Sequence, residues 1–178
     1  MQSPAFTVYA SLYLNTPLTE YWEEALSVQK VRQMLSASGV EYRFIRLKKR
    51  AVSVNEVVKY AEDEVKEDEI CKTVLLRGAS GRLYAVMLLG MRKVDLAKVA
   101  QIVKEKVSLA SLSELEKLGL EPGAICPLTI DVELLVDEEV FTRQKVNFSS
   151  GDPHYGLEVS PKDLEKLVEF RRARLSSP

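Results

Sequence analysis

The sequence predicts an α+β fold: a mixed, largely antiparallel sheet or partial barrel flanked by helices. Helical and strand-like segments are mixed along the 178 residues without the regular strand–helix–strand alternation of a parallel α/β fold. Residues 72–89 form two apolar runs joined by a Gly- and Ser-containing turn, the pattern of a β-hairpin. Two capping boxes, Ser53-x-x-Glu56 and Ser111-x-x-Glu114, predict helices on either side of that hairpin.

The first predicted helix has Thr19 as its N-cap and ends near Gly39, and no element is predicted for residues 1–18. The apolar residues assigned to this helix are Trp22, Ala25, Leu26, Met34 and Leu35. Residues 40–47 predict a strand, and Ser53 opens a second helix. The acidic run at 62–69 is interpreted as the solvated end of that helix and the loop after it.

The second half of the chain continues the mixture after hairpin strands at 72–77 and 82–89. Asp95 caps a helix whose inner face carries Leu96, Val99, Ala100 and Val103. The helix opened by Ser111 repeats Leu112, Leu115 and Leu118 at helical spacing and stops at Gly119. Strands are predicted at 132–136, 144–148 and 155–159, followed by a helix with Pro161 at its first position. We expect residues 1–38 to be an N-terminal extension and helix packed on a single globular unit, residues 39–178.

Composition and charge narrow the function classes. The formal net charge is −1, so any contact with nucleic acid must come from a local basic patch. The apolar runs are too short to span a bilayer, and the N-terminus lacks a signal-peptide pattern, so a cytoplasmic protein without membrane contact is expected. The two cysteines and one histidine indicate neither a zinc site nor a disulfide framework. No phosphate-binding glycine motif is present, and no metal or cofactor is expected.

The loop at residues 118–127 is the densest local signal, with two glycines and two prolines among ten residues. Glycine permits positive φ and close approach of a ligand to the main chain, while proline stiffens the frame around the intervening amides. Such a loop can stabilise developing negative charge with little reorganisation. For these residues alone, a helix C-cap followed by a turn is the ordinary interpretation and the preferred one.

Two sets of side chains could act on a substrate. Lys72 precedes a strand of buried character, so its ammonium could meet a phosphate or a carbonyl, although a lysine ending a strand in solvent fits the same pattern. Cys126 and His154 are the one evident nucleophile–base pair, since the chain has a single histidine. A buried cysteine and a surface histidine without chemistry are the ordinary interpretation of that pair.

Four segments occur in an order and spacing that resemble the YbaK/ProX family of aminoacyl-tRNA editing domains, also found inserted in bacterial-type prolyl-tRNA synthetases. They are Lys-Thr-Val-Leu-Leu-Arg at 72–77, Ser-Glu-Leu-Glu-Lys-Leu-Gly-Leu-Glu-Pro-Gly-Ala-Ile-Cys-Pro-Leu at 113–128, Leu-Val-Asp-Glu-Glu at 135–139 and Val-Ser-Pro-Lys-Asp-Leu at 159–164. The resemblance covers residues 39–168 and implies the fold of these editing domains for the globular unit.

The resemblance implies hydrolysis of an amino acid wrongly attached to tRNA, with alanine or cysteine on the tRNA for proline as the expected substrates. Lys72 stands at the position of the lysine that the family needs for activity. The loop Gly123, Ala124, Ile125, Cys126 and Pro127 stands where the family's Gly-x-x-Ser-Pro loop contributes main-chain groups around the ester. Lys72 and Gly123 are therefore the expected catalytic residues, and the other four are expected to bind substrate.

The sequence departs from the family pattern at three points. Cys126 replaces the serine of many members, and a thiol is a poorer hydrogen-bond donor than a hydroxyl. Ala124 replaces a glycine found in some members. Residues 149–156 match the family's last substrate loop weakly. From that loop Ser150 and Gly151 are carried over, and His154 is added as a third candidate for substrate binding.

The expected partners are the 3′ aminoacyl end of a mischarged tRNA and, as a further candidate, an aminoacyl-tRNA synthetase. The candidate tRNA-binding residues are Arg43, Arg46, Lys48, Lys49 and Arg50, which equally fit a solvated strand end. Three hypotheses remain open at this point: a free-standing trans-editing deacylase, a non-catalytic module that binds tRNA or a synthetase, and an unrelated thiol hydrolase using Cys126 and His154.

Overall fold

The computed structural model describes the backbone of residues 18–178 and the side chains from residue 28 onward. The expectations for residues 1–17, and for the side chains of Trp22, Ala25 and Leu26, lie outside the described residues. The first helix, α1, spans Leu18–Ser38 and is followed by Gly39 at a φ of 68°. Because Leu18 is already helical, Thr19 is not the N-cap of this helix.

The fold is a mixed α+β arrangement, as predicted, with ten strands and four further α-helices in the part of the chain the structure describes. The strands are β1 (Tyr42–Arg46), β2 (Cys71–Gly78), β3 (Leu83–Leu89), β4 (Lys93–Val94), β5 (Val107–Leu109), β6 (Glu133–Asp137), β7 (Val146–Ser149), β8 (Tyr155–Val159), β9 (Arg171–Ala173) and β10 (Ser176–Ser177). The helices are α2 (Val54–Tyr60), α3 (Leu96–Val103), α4 (Leu112–Lys117) and α5 (Leu164–Leu167).

The main sheet has five strands in the order β5-β2-β3-β6-β9. Its β2–β3 and β2–β5 pairs are antiparallel, whereas β3–β6 and β6–β9 are parallel. A second sheet, β1-β8-β7, is wholly antiparallel, and β4 pairs antiparallel with β10. The sheets are thus mixed and largely antiparallel, and within residues 18–178 they do not close into a barrel.

Strand β3 lies at the centre of the main sheet and is buried on both faces. Ala85 and Met87 face a core shared with the second sheet and with Val31 and Leu35 of α1. The alternate residues of β3 face a second core that α3 covers. A strand packed on both faces reads as a continuous apolar run, because neither side of its pleat meets water. Helix α1 therefore packs on the domain, while a domain boundary at residue 38 stays a prediction.

The structure confirms the predicted capping box at Ser111 in full, whereas the box predicted at Ser53 lacks one of its two hydrogen bonds. The box at Ser111 is complete, with the serine hydroxyl accepting from Glu114 N–H and the Glu114 carboxylate accepting from Ser111 N–H. At α2 the Ser53 hydroxyl accepts from Glu56 N–H, but the Glu56 carboxylate bonds Val52 N–H. This extra bond ties the residue before the helix to its first turn and so orders the preceding loop.

The three leucines that repeat at helical spacing around α4 do not share one buried face. Leu115 is buried against Leu75 and Ile125, but Leu112 and Leu118 are 66% and 45% exposed. Helix α4 has six residues, so it offers a single position to the core rather than a continuous stripe. Strands β4, β5, β9 and β10, of two or three residues each, were not predicted.

Candidate active site

A cavity of about 440 Å³ opens where the N-terminus of α2, the start of β2, the residues after β3 and the loop between β7 and β8 meet. Its walls are mainly apolar, and two of its residues, Val52 and Met91, are 42% and 63% exposed. The apolar lining residues are Ile45, Leu47, Val54, Val57, Ile70, Ile125 and Phe148. A concave apolar site with a few polar groups is the usual form of a small-molecule site.

Lys72, the second residue of β2, lines this cavity and is half-buried. Its Nζ donates a hydrogen bond of 3.0 Å to the carbonyl oxygen of Gly90, just beyond the end of β3. Burial, and then the positive charge of Lys93, lower the pKa of Lys72. The bond to Gly90 fixes the position of the ammonium, so the cation is held in the cavity rather than free in solvent.

The loop after α4 reaches the same cavity through Gly123 and Ile125. Gly123 has a φ of 79°, and a Cβ on it would lie 2.3 Å from the carbonyl oxygen of Val52, so glycine is required twice over. Ala124 N–H closes the turn by donating to Glu121 O over 3.0 Å. The amides of Gly123 and Ile125, two residues of the cavity wall, donate no hydrogen bond to any of the described residues.

Two further residues of the cavity wall have polar side-chain atoms that are fully covered and have no hydrogen-bond partners in the described part of the chain. The groups are the hydroxyl of Thr73 and the amide of Asn147, whose nitrogen and oxygen are both unpaired. Asn147 is 1% exposed. Because unpaired buried polar groups are costly, they are concentrated at functional positions in many proteins.

The loop between β7 and β8 adds a carboxylate to the cavity wall. Asp152 is buried, with a side chain 6% exposed, and its Oδ1 accepts from His154 N–H over 2.8 Å. The loop is held against the residues before α2, because Ala51 N–H donates to Pro153 O and Leu47 N–H donates to His154 O. The cavity therefore presents a cation and a carboxylate fixed by separate elements.

The sequence model described as the aminoacyl-tRNA editing domain matches residues 48–167 of the 178-residue chain. That range contains Lys72, the loop at Gly123 and the loop at Asp152. The chain belongs to the aminoacyl-tRNA editing domain family.

Individual relatives agree with this assignment. The editing domain is 34% identical over 111 residues to the prolyl-tRNA editing protein ProX of Acetoanaerobium sticklandii, a match covering 57% of this chain and 68% of that protein. It is 29% identical over 133 residues to the proline–tRNA ligase of Persephonella marina, covering 71% of this chain but 23% of the ligase. The predicted resemblance to the YbaK/ProX family is confirmed.

A solved structure shares the fold. The crystal structure of a proposed trans-editing enzyme for prolyl-tRNA synthetase superposes with a TM-score of 0.72 at 21% identity, covering 85% of this chain and 98% of that one. At this identity the likeness concerns the fold alone.

The editing domain brings some of the predicted site residues together and leaves others apart. Lys72, Gly123 and Ile125 line the cavity. Ala124, Cys126 and Pro127 belong to the same loop as Gly123, but they are buried and do not line the cavity. Ser150, Gly151 and His154 also lie outside the lining, so all six stay predictions as substrate contacts.

Cys126 lies in the main core, and burial raises the pKa of its thiol. Nucleophilic cysteines have lowered pKa values and partial exposure, the opposite of what is found here. The ring of His154 is 45% exposed, and its Nδ1 lies 3.3 Å from Asp152 Oδ1. These features count against the thiol hydrolase hypothesis.

The predicted tRNA-binding residues are all exposed and lie in β1 and in the loop after it. Three of them pair with carboxylates: Arg43 with Glu158, Arg46 with Glu62, and Arg50 with Glu121. The Arg43 pair is bidentate, and Glu158 is 6% exposed, which gives Arg43 a structural role. Lys48 and Lys49 form no ion pair within residues 28–178 and remain the better tRNA candidates.

Sequence reasoning missed Asp152, Asn147, Thr73 and the residues at the start of α2. Nothing in the local sequence predicts that these residues meet around one cavity, since they come together only where β2, β7 and the loop before α2 converge. Among the side chains the structure describes, no group of three His, Cys, Asp or Glu is arranged to hold a metal ion. None of the helices in residues 18–178 has the length and apolar character needed to cross a membrane.

Proposed function

We propose that this editing domain is a trans-editing deacylase that hydrolyses the ester between a wrong amino acid and the tRNA for proline. Alanyl- and cysteinyl-tRNA are the proposed substrates, and the 3′ aminoacyl end is the part that enters the cavity. The names of the ProX protein and of the proline–tRNA ligase support prolyl-tRNA as the context.

One observation carries the proposal: Lys72 and Gly123, from elements distant in sequence, line one cavity. An oxyanion formed on the ester carbonyl needs donors or positive charge that are already in place when it develops. Lys72 would supply a positioned ammonium, and the amides of Gly123 and Ile125 would supply main-chain donors.

The proposed reaction needs no covalent intermediate. The oxygen of a water molecule attacks the ester carbonyl carbon, the bond to the ribose oxygen breaks, and that oxygen takes a proton. The products are a free amino acid and tRNA with its terminal hydroxyls restored. An aminoacyl ester is already activated, and the vicinal ribose hydroxyl can help orient the water, so positioning and charge stabilisation are the protein's task.

Selectivity would follow from the size of the space left for the side chain. A pocket rejects a larger side chain by steric clash, whereas missing contacts with a smaller one cost only about 1–3 kcal/mol per methylene. We therefore expect alanine and cysteine to be accepted and proline to be excluded, which protects correctly charged tRNA.

The test is deacylation of alanyl-, cysteinyl- and prolyl-tRNA for proline by the wild type and by Lys72→Ala. We expect Lys72→Ala to abolish hydrolysis and to lower the free energy of unfolding by about 1 kcal/mol or less, since one hydrogen bond to Gly90 is lost. Lys106→Ala is the matched control, because Lys106 is exposed, does not line the cavity and is not among the charges that shift the pKa of Lys72.

Each other outcome has a distinct meaning. Absence of turnover by the wild type on every charged tRNA would favour a non-catalytic module that binds tRNA or a synthetase. Loss of activity with Cys126→Ala but not with Lys72→Ala would favour a thiol hydrolase. A large loss of unfolding free energy in Lys72→Ala would indicate that Lys72 has a structural role.

A further inference from the structure

We infer that Asp152 binds the α-ammonium group of the aminoacyl ester, a role that rests on the proposed function and names the group recognised at that site. Asp152 lines the same cavity as Lys72, on a loop between β7 and β8. The two charged side chains are farther apart than an ion pair, so neither neutralises the other.

The carboxylate is buried but only partly satisfied. Its Oδ1 accepts from His154 N–H at 2.8 Å and lies 3.3 Å from His154 Nδ1. No donor in residues 28–178 bonds Oδ2, so this oxygen is open to a hydrogen bond from a bound group. Burying a carboxylate costs free energy unless a cation pairs with it.

The substrate has that cation next to the reacting bond. An aminoacyl ester carries its amino group one carbon from the carbonyl that water attacks, and an α-amino group, with a pKa of about 7.7–8.0, is mostly protonated at neutral pH. A cavity with a fixed ammonium at one point and a carboxylate at another matches this arrangement. Lys72 faces the developing oxyanion, and Asp152 holds the ammonium, so the two charges together orient the ester.

This role makes a free amine part of what the site recognises. Peptidyl- and N-acetylaminoacyl-tRNA have an amide at that position, carry no charge there and leave Asp152 unpaired. Asp152 therefore restricts binding to esters of free amino acids.

The experiment measures binding and hydrolysis separately. Binding uses two stable analogues, 3′-deoxy-3′-(alanylamino)adenosine and its N-acetyl derivative, by calorimetry. Hydrolysis uses alanyl-tRNA and N-acetylalanyl-tRNA. The variant is Asp152→Asn, because asparagine keeps an oxygen that can accept from His154 N–H while removing the charge. Asp131→Asn is the matched control, since Asp131 is exposed and lies outside the cavity lining.

We expect the wild type to prefer the free-amine analogue by about 10- to 100-fold, the usual worth of a hydrogen bond to a charged group. Asp152→Asn is expected to remove that preference by weakening the free-amine analogue alone, and to raise KM for alanyl-tRNA more than it lowers kcat. Asp131→Asn keeps the preference.

An unchanged preference in Asp152→Asn, equal weakening of both analogues, or failure of the wild type to bind either analogue would overturn the assignment. A preference that depends on Asp152 in a protein that hydrolyses no aminoacyl-tRNA would keep the assignment and reject the deacylase function. Melting temperatures of both variants show whether each is folded.

Discussion

Lys72 combines a fixed position with an altered acidity. Burial is the larger cause of its lowered pKa, and Lys93 adds to it. Under the proposed function the ammonium is the form that stabilises the oxyanion, so catalysis would require the proton to stay on Lys72. Because the pKa is lowered, that proton is lost at a lower pH than from an ordinary lysine, whose pKa is about 10.4.

The enzymatic rate, corrected for spontaneous ester hydrolysis, is therefore expected to fall as the pH rises through the lowered pKa. Lys93→Ala removes a positive neighbour, raises the pKa of Lys72 and moves the fall to higher pH. The shift is expected to be partial, because burial remains. A pH–rate profile of the wild type and of Lys93→Ala checks this expectation. If the fall in rate at high pH does not move, or moves to lower pH, then deprotonation of Lys72 is not its cause.

At the scale of elements, the caps were predictable and the pairing of short strands was not. Ser111 and Asp95 cap their helices through bonds to residues two or three positions away, so the sequence contains both partners. Strand β10 has two residues and pairs with β4, more than eighty positions earlier. Such a pair is stabilised by tertiary contacts that no local pattern encodes.

The loop after α4 offers a prediction in which two glycines are compared. Gly119 has a φ of 65° with open space around it, so Gly119→Ala should cost about 1–2 kcal/mol of unfolding free energy from backbone strain alone. Gly123→Ala carries similar strain and also overlaps the backbone of Val52, so we expect a loss of about 3 kcal/mol or more.

The difference should also appear in activity, because Gly123 and Val52 both line the cavity while Gly119 does not. Denaturant unfolding and deacylation assays of the two variants check the expectation. Equal stability losses would mean that the Val52 backbone yields freely to the new methyl group.

At the scale of the whole molecule, a net charge of −1 does not attract tRNA, so the proposed binding of tRNA requires a local basic surface. Lys48 and Lys49 are exposed beside β1, whereas Arg43 is committed to Glu158. We expect the double variant Lys48→Ala/Lys49→Ala to bind tRNA more weakly and to lower the slope of log affinity against log salt by about 2, since each phosphate contact contributes about 1.

Arg43→Ala serves as the comparison, because its main effect should be on stability. Affinity measured at several salt concentrations distinguishes the variants. If the salt slope is the same in the wild type and in the lysine double variant, Lys48 and Lys49 do not contact the phosphates of tRNA.

The candidate site could be predicted from the sequence only in part, because several of its residues meet through the tertiary fold. Lys72 and the glycine loop were predicted because resemblance to a family marks them residue by residue. Asp152 and Asn147 were not, because their importance arises only when loops remote in sequence meet around one space. The basic cluster was predicted as a unit, yet Arg43, Arg46 and Arg50 each meet a carboxylate that the linear sequence does not place beside them.

The two cysteines are both buried in the same core, Cys71 also borders the cavity, and burial raises the pKa of each thiol. An alkylating reagent therefore reaches them mainly when the folded chain opens. A bound substrate analogue should therefore retard alkylation of Cys71, which borders the cavity, more than alkylation of Cys126, which does not.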